Sequence, residues 1–340
     1  MSNRMDEEML RKDLVLYGKL LQRRLGPIAG QVEVTADCSQ KCIFCHSRAD
    51  AKKFGYRQLS LAQGWHLIRV LSESPVFENL TLTGGDPQCW PELDGFLRYY
   101  IEKKCSFQLQ INTALALPFE QSLWTKTFSS VRVSIDALTL AGYKKTRGVE
   151  LDPLQIIERM RELGVERCSV IFTASLLNIA ELIPLARFLR DNCQVRKLMV
   201  LPAIGVEHSE EFWRLWEFSR RELADRRNFV AGFTSMSESS SILKRDFDPT
   251  VRCWAGVCGF HIKPNGDVYP CCLVGGEAAS TDVRFRTTNI SEDFLATCQD
   301  WMLGYFYADP KLPCRRICQF KQYQLNLAAE FACRTILRMP

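Results

Sequence analysis

The sequence predicts an α/β fold: a partial (β/α)6 TIM-like barrel followed by a small cysteine-rich α+β domain. Three observations predict it. Between residues 30 and 205 the spacing of apolar residues switches repeatedly between the strand period and the helix period. The predicted strands alternate with predicted helices about six times, and strands joined through helices demand right-handed crossovers and a parallel sheet. From Cys253 onward the texture changes to short strands, turns and cysteine, with eight of the 15 cysteines lying between Cys253 and Cys333.

The elements follow in order. Residues 6–25 carry Leu10, Leu14, Leu20, Leu21 and Leu25 at helical spacing and stop at Gly26-Pro27, so residues 1–29 read as a leading helix. Val32 and Val34 alternate on a strand that runs into Cys38. Ser60, with Gln63 three residues on, opens a helix bearing Leu61, Trp65, Ile68 and Leu71 on one face. Leu80 and Leu82 mark a strand ending at Gly84-Gly85, and Leu93, Phe96, Leu97, Tyr100 and Ile101 mark the next helix. Strands Phe107-Leu109-Ile111 and Val131-Val133-Ile135 follow. Asp152-Pro153 caps a helix that ends at Gly164. Strand 168–174, helix 178–191 and strand 196–201 complete the barrel, which spans 30–230. Residues 208–227 form a further helix whose aromatic run from Phe212 to Phe218 is core or the wall of a peptide groove. Five serines in the seven residues 235–241 place a linker at 231–252, and 253–340 form the second domain with a C-terminal helix.

Composition narrows the function. A chain of 340 residues with 46% hydrophobic content can bury a real core. Its formal charge of +5 is unclustered, so nucleic-acid binding is not indicated. No run of 18 apolar residues exists and the start lacks the core of a signal peptide, which predicts a cytoplasmic protein without a membrane partner. A reducing compartment keeps thiols unpaired, so the cysteines read as metal ligands.

Cys38, Cys42 and Cys45 have the spacing C-x3-C-x2-C within one loop. Three thiolates hold three irons of a [4Fe–4S] cubane and leave the fourth iron open to a ligand. A structural zinc site is the competing reading. In a parallel α/β fold the chemistry sits at the carboxyl ends of the strands, and Cys38, Gly84-Gly85 and Asp136 all fall at predicted strand ends. Asn112, at the end of the third strand, is a cofactor contact or simple turn chemistry, and His46 is a neighbour of the cysteine loop rather than a ligand.

These residues resemble the radical SAM superfamily, whose hallmark is C-x3-C-x-aromatic-C, with Phe44 in the aromatic position. Thr83-Gly84-Gly85-Asp86-Pro87 is similar to that family's Gly-Gly-Glu-Pro loop, whose backbone meets the amino group of S-adenosylmethionine, and Asp86 is a shorter replacement for the glutamate. Val133-Ser134-Ile135-Asp136 resembles the fourth strand, whose Ser and Asp approach the ribose. Lys145-Thr146-Arg147-Gly148 resembles a segment whose arginine meets the cofactor carboxylate. The resemblance thus implies a cluster on Cys38, Cys42 and Cys45, S-adenosylmethionine held through Phe44, Gly84, Gly85, Asp86, Asn112, Ser134, Asp136 and Arg147, and radical hydrogen abstraction. A rim ion pair is the plain alternative for Asp136 and Arg147.

In the second domain Pro264-Asn265-Gly266-Asp267 signals a hairpin that would bring Cys253 near Cys271, and Cys314-x3-Cys318 supplies a second pair. This resembles the SPASM and twitch extensions and implies one auxiliary iron–sulfur cluster, of the [4Fe–4S] type. Cys258 competes as a ligand and would displace Cys314, and zinc is again the plain alternative. Cys89, Cys105, Cys168 and Cys193 read as core, while Cys272, Cys298 and Cys333 read as buried apolar residues.

Relatives with this layout mature peptides by crosslinking, oxidation or epimerisation, so the expected substrate is a peptide or protein, with an electron donor such as flavodoxin or ferredoxin. The first 29 residues are too few for a peptide-recognition domain, so a leader would be bound by a separate protein or by the barrel. A dehydrogenase or epimerase of a small carbinol is the alternative, and a non-catalytic electron carrier the second. No catalytic side chain is legible.

Overall fold

The computed structural model describes residues 29–45, 57–203, 208–224, 229–231, 259–269, 288–290 and 293–295, with single positions at 48, 52, 55 and 206. The predicted leading helix, His46, the serine run and the C-terminal helix lie outside the described residues, as do Cys253, Cys258, Cys271, Cys314 and Cys318. In chain order the described elements are β1 (Ala29–Thr35), α1 (Leu61–Glu73), β2 (Asn79–Gly84), α2 (Leu93–Glu102), β3 (Gln108–Thr113), α3 (Gln121–Thr127), β4 (Phe128–Ser134), α4 (Leu140–Arg147) and α5 (Pro153–Leu163). There follow β5 (Cys168–Ala174), α6 (Leu182–Asp191), β6 (Lys197–Pro202), α7 (Glu210–Glu222), β7 (Val230–Ala231), β8 (Gly259–Ile262), β9 (Asp267–Tyr269) and β10 (Thr288–Asn289). None of the described helices is long and apolar enough to cross a membrane.

The chain divides into two compact units, Met1–Val32, Ala62–Leu80 and Ser241–Pro340 in the first, and Glu33–Leu61 and Thr81–Ser240 in the second. In the second unit the strands run in the order β1-β2-β3-β4-β5-β6-β7, with parallel pairing from β3 to β7. This is the α/β arrangement of a partial TIM-like barrel. Alternation along the strands separates two faces. Ile111, Val133, Val170, Phe172, Leu198 and Val200 point to one face and are fully buried. The helices covering that face bury matching stripes, Ile156, Ile157 and Met160 on α5 and Leu182, Leu185 and Leu189 on α6. The opposite face is polar on β3 and β4, with Gln110, Asn112, Arg132 and Ser134 half-buried along it, and mixed on β5 and β6, where Ser169 and Thr173 share it with Ile171 and Met199.

Local chemistry explains where most elements stop and start. Asp152 caps α5 by accepting the Leu154 amide at 3.0 Å, Pro153 occupies the first turn, and Gly164 ends the helix with a positive φ. Two helices have no counterpart in the sequence reading. Helix α3 has only seven residues and runs directly into β4. Helix α4 has no apolar stripe, burying Tyr143, Thr146 and Arg147 instead; Thr139 caps its start and Gly148, at φ 67°, caps its end. Of the aromatic run on α7, Phe212 and Trp216 are fully buried and are core, whereas Phe218 is exposed. Cys168 and Cys193 are buried as expected; Cys89 and Cys105 are only half-buried, which corrects their reading as core.

In the first unit Ala29–Val32 of β1 pairs in parallel with β8, which pairs antiparallel with β9, and β9 with β10. The predicted hairpin turn is present: Gly266, at φ +86°, donates to the Lys263 carbonyl at 2.8 Å, and Lys263 donates to the Asp267 carbonyl at 2.9 Å. Phe260 stacks on Phe77 at 5.8 Å and meets Phe294 edge-on at 5.4 Å. Gly30 is required beneath Phe260, since a Cβ there would lie 2.2 Å from the ring.

Truncating Phe172 to alanine should cost about 3–5 kcal/mol of unfolding free energy in urea titration, because its side chain is fully enclosed. Asp152→Ala should cost only about 1 kcal/mol, the loss of one helix cap.

Candidate cofactor site

Cys38, Cys42 and Cys45 lie on an irregular loop that follows β1. Each sulfur receives one N–H: Cys38 Sγ from the Gln40 amide, Cys42 Sγ from Arg147 Nη1 and Cys45 Sγ from the Arg48 amide, all at 3.4 Å. Such donors favour thiolate over thiol and tune an iron–sulfur cluster. Burial works the other way, pushing the Cys38 thiol up to about 12 and raising Cys42 as well, the latter opposed by the Arg147 cation. Metal coordination reverses that preference, since a coordinating thiol is deprotonated outright.

Backbone contacts hold the loop from two sides. On one side Lys41 and Ile43 donate to the carbonyls of Arg147 (2.7 Å) and Thr146 (3.1 Å) at the end of α4. On the other, Gly85 and Asp86 donate to the carbonyls of Thr35 and Asp37, both at 2.8 Å. This second contact explains the glycine pair. Gly84 has φ +139° and a Cβ there would lie 2.3 Å from the Thr35 oxygen, while one on Gly85 would lie 2.2 Å from that of Asp37. No side chain fits between the two loops.

Asp86 is 2% exposed, and its carboxylate is engaged within the scaffold. Thr113 Oγ1 donates to it at 2.8 Å, the Ala114 amide at 2.9 Å and the Gln88 amide at 3.1 Å. Burial raises its pKa against those three donors. Asp86 thus ties the glycine loop to the end of β3. Gln88, which the sequence reading passed over, extends the tie by bonding both the carbonyl (2.8 Å) and the amide (3.2 Å) of Leu117.

Asp136 and Arg147 form a buried ion pair through Oδ2 and Nε. Asp136 Oδ1 also accepts the Thr173 amide at 2.6 Å, and its carbonyl accepts Asn178 Nδ2 at 3.0 Å. Burial opposes the Arg147 charge, but the Asp136 carboxylate and Cys42 outweigh it and hold its pKa up. The same guanidinium lies 6.0 Å from the centre of the Phe44 ring, the limit of a cation–π contact. Arg147 therefore joins Cys42, Phe44 and Asp136 into one group, the ion pair that the sequence left as the plain alternative. Tyr143, one turn earlier on α4, is fully buried beside it, with no hydrogen-bond partner for its hydroxyl among the described residues, and no pattern in the sequence pointed to it.

Ser134 ends β4 on the polar face, half-buried. Asn112 stands on the same face, and its Oδ1 is buried without a partner among the described residues; so are Ser39 Oγ and Gln40 Oε1 in the cysteine loop. Unpaired buried polar atoms in a native fold call for a ligand or water. Among the described residues no three His, Cys, Asp or Glu side chains converge on a single metal ion. A mononuclear zinc site draws its sulfurs to about 3.8 Å from one another, whereas a cubane spreads them over separate irons. Three N–H-supported thiols, a glycine loop without side chains and orphaned acceptors around them fit a cluster and a polar ligand beside it.

Residues 32–189 match the family model of the radical SAM superfamily. That match covers a little under half of the chain. The chain is an enzyme, and the matched family implies a [4Fe–4S] cluster and S-adenosylmethionine as cofactors. The fold is similar to that of SuiB from Streptococcus suis, with a TM-score of 0.62 and 18% identity over 85% of this chain and 69% of that one. The structure of SuiB bound to its precursor peptide SuiA gives the same score and identity, covering 85% of this chain and 68% of that one. Native anSMEcpe with bound AdoMet and the Cp18Cys peptide aligns with a TM-score of 0.55 and 14% identity, over 92% of this chain and 98% of that one. At such identities the likeness is one of fold. The sequence matches no curated protein.

Asp136→Asn should cost about 3–5 kcal/mol in urea unfolding, because it leaves the Arg147 cation buried without its carboxylate. The double change Asp136→Asn with Arg147→Met should recover part of that loss. A Gly85→Ala chain should retain less iron after anaerobic reconstitution, since its Cβ forces the two loops apart.

Proposed function

We propose that this enzyme matures a peptide or protein substrate by radical hydrogen abstraction. The observation that carries the chemistry is the loop of three thiols, each supported by an N–H donor and packed against a side-chain-free glycine loop, within a matched radical SAM domain. Support for the substrate class comes from the fold shared with SuiB, seen with its precursor peptide, and with anSMEcpe, seen with a peptide.

When bound, a reduced cluster with S-adenosylmethionine would supply the one-electron chemistry for abstracting a hydrogen atom from the substrate. The chain's own part is holding and orienting. Cys38, Cys42 and Cys45 bind three irons. The backbone of Gly84 and Gly85 meets the methionine amino group, with Asp86 holding that loop in place. Ser134 and Asp136 serve the ribose, Asn112 Oδ1 offers an acceptor on the same face, and Arg147 serves the methionine carboxylate while keeping Phe44 and Cys42 in register. A donor of the flavodoxin or ferredoxin class delivers the electron. In the second domain Cys253, Cys271 and Cys318, with either Cys314 or Cys258, hold one auxiliary cluster in the manner of a twitch domain.

Anaerobically reconstituted enzyme given dithionite and S-adenosylmethionine should release 5′-deoxyadenosine, and alanine at Cys38, Cys42 or Cys45 should abolish that release. With a substrate peptide the product mass should fall by two units for oxidation or crosslinking, or stay unchanged with uptake of solvent deuterium for epimerisation. The chain lacking all three loop thiols should still bind about four irons, and lose them when Cys271 and Cys318 are also replaced.

A further inference from the structure

Helix α4 is short and polar, yet it buries three side chains, Tyr143, Thr146 and Arg147. Two of them have partners. Thr146 turns its hydroxyl back onto its own helix, donating to the Gly142 carbonyl at 2.9 Å, and Arg147 serves Asp136 and Cys42. Tyr143 stands one turn before Arg147, and residues four apart share a helix face. It is fully enclosed, and its hydroxyl has no hydrogen-bond partner among the described residues.

A buried tyrosine ordinarily finds a partner for its O–H, because leaving a buried donor unmade costs more than a made bond returns. Phenylalanine would fill almost the same space without that cost. The hydroxyl therefore points to an acceptor that the polypeptide does not supply. Burial raises its pKa against the Arg147 cation, so the group stays protonated and remains a donor.

The charged groups that act on this hydroxyl are Arg147, Asp136, Cys42 and Asp86. Arg147 has no acceptor to offer. Asp86 already takes Thr113 Oγ1 and the amides of Ala114 and Gln88. Asp136 takes the Thr173 amide on Oδ1 and Arg147 Nε on Oδ2. Cys42 Sγ takes a single donor among the described residues, Arg147 Nη1 at 3.4 Å, and as a thiolate on iron it has room for another. Of the three anions, Cys42 alone has an acceptor site to spare.

We propose that the Tyr143 hydroxyl donates to the Cys42 corner of the cluster, to the ligand thiolate or the sulfide beside it, and raises the reduction potential of that cluster. A donor favours the reduced state, which carries the extra negative charge, so its removal makes reduction harder. Two donors then meet Cys42, against one each at Cys38 and Cys45. Tyr143 is neither an iron ligand nor a substrate contact. The proposal rests on the cluster reading of the loop given above.

The test compares Tyr143→Phe with the unaltered chain in two states. In the anaerobically reconstituted state, a potentiometric titration follows the EPR signal that S-adenosylmethionine alters. The substitution should lower the equilibrium constant for reduction about tenfold, about 59 mV for one electron. In the iron-free state, urea unfolding should show no loss of stability, since the hydroxyl removed there had no partner. Iron lost from a Tyr143→Phe chain of undiminished iron-free stability supports the proposal equally. A potential that is unchanged or higher overturns it and leaves the radical reading intact. A tenfold fall in the folding constant of the iron-free chain overturns it too, because the hydroxyl would then serve the fold. An unaltered chain that takes up no iron in its loop overturns the radical reading, and this proposal with it.

Discussion

Everything at the carboxyl ends of these strands depends on an irregular loop being clasped by main chain from two directions. The loop of Cys38, Cys42 and Cys45 has no ladder of its own, so its order comes from four amide–carbonyl bonds, two to the glycine loop after β2 and two to the end of α4. Both clasps are backbone to backbone, and both close only because glycine stands at the contact: Gly84 and Gly85 on one side, Gly148 on the other, where a Cβ would lie 2.7 Å from the Lys41 oxygen. The parallel sheet supplies the third requirement, since β1, β2 and β4 present these segments at the same end.

Within that frame the guanidiniums of Arg147 and Arg132 are treated in opposite ways. Arg147 is neutralised by Asp136 and directed at Cys42, so its charge is fixed in direction and serves the thiols. Among the described residues Arg132 meets only the Gln110 amide, so its charge is left facing the polar side of the sheet. Desolvation weighs on both, and the difference lies in whether the chain itself provides the counter-charge.

The period-reading of the sequence reached the elements whose burial is one-sided. Strand β5 falls at 168–174 as expected, because the buried Cys168, Val170 and Phe172 alternate with the half-buried Ser169, Ile171 and Thr173; α5 is bounded by the Asp152-Pro153 and Gly164 signals. It missed α3, too short for a stripe to repeat, and α4, whose buried residues are Tyr143, Thr146 and Arg147 and so leave no apolar pattern. The same limit applies to the site. Cys38, Cys42, Cys45, Gly84 and Gly85 were legible as a spacing, and the structure adds why glycine is needed. That Asp86 serves three scaffold donors, that Gln88 extends its tie, and that Arg132 faces a row without carboxylates are facts of register between distant strands, which no local window contains.

The clasp at the end of α4 runs in both directions. A helix ends with carbonyls that have no donors of their own, and here those of Thr146 and Arg147 are capped by the amides of Ile43 and Lys41, more than a hundred residues earlier. Oxygen damage to the thiols would thus spread as mechanical failure: once the loop loses its shape the helix end frays, Asp136 loses its counter-ion, and the injured enzyme becomes open to proteolytic clearance at a point remote from the chemical lesion.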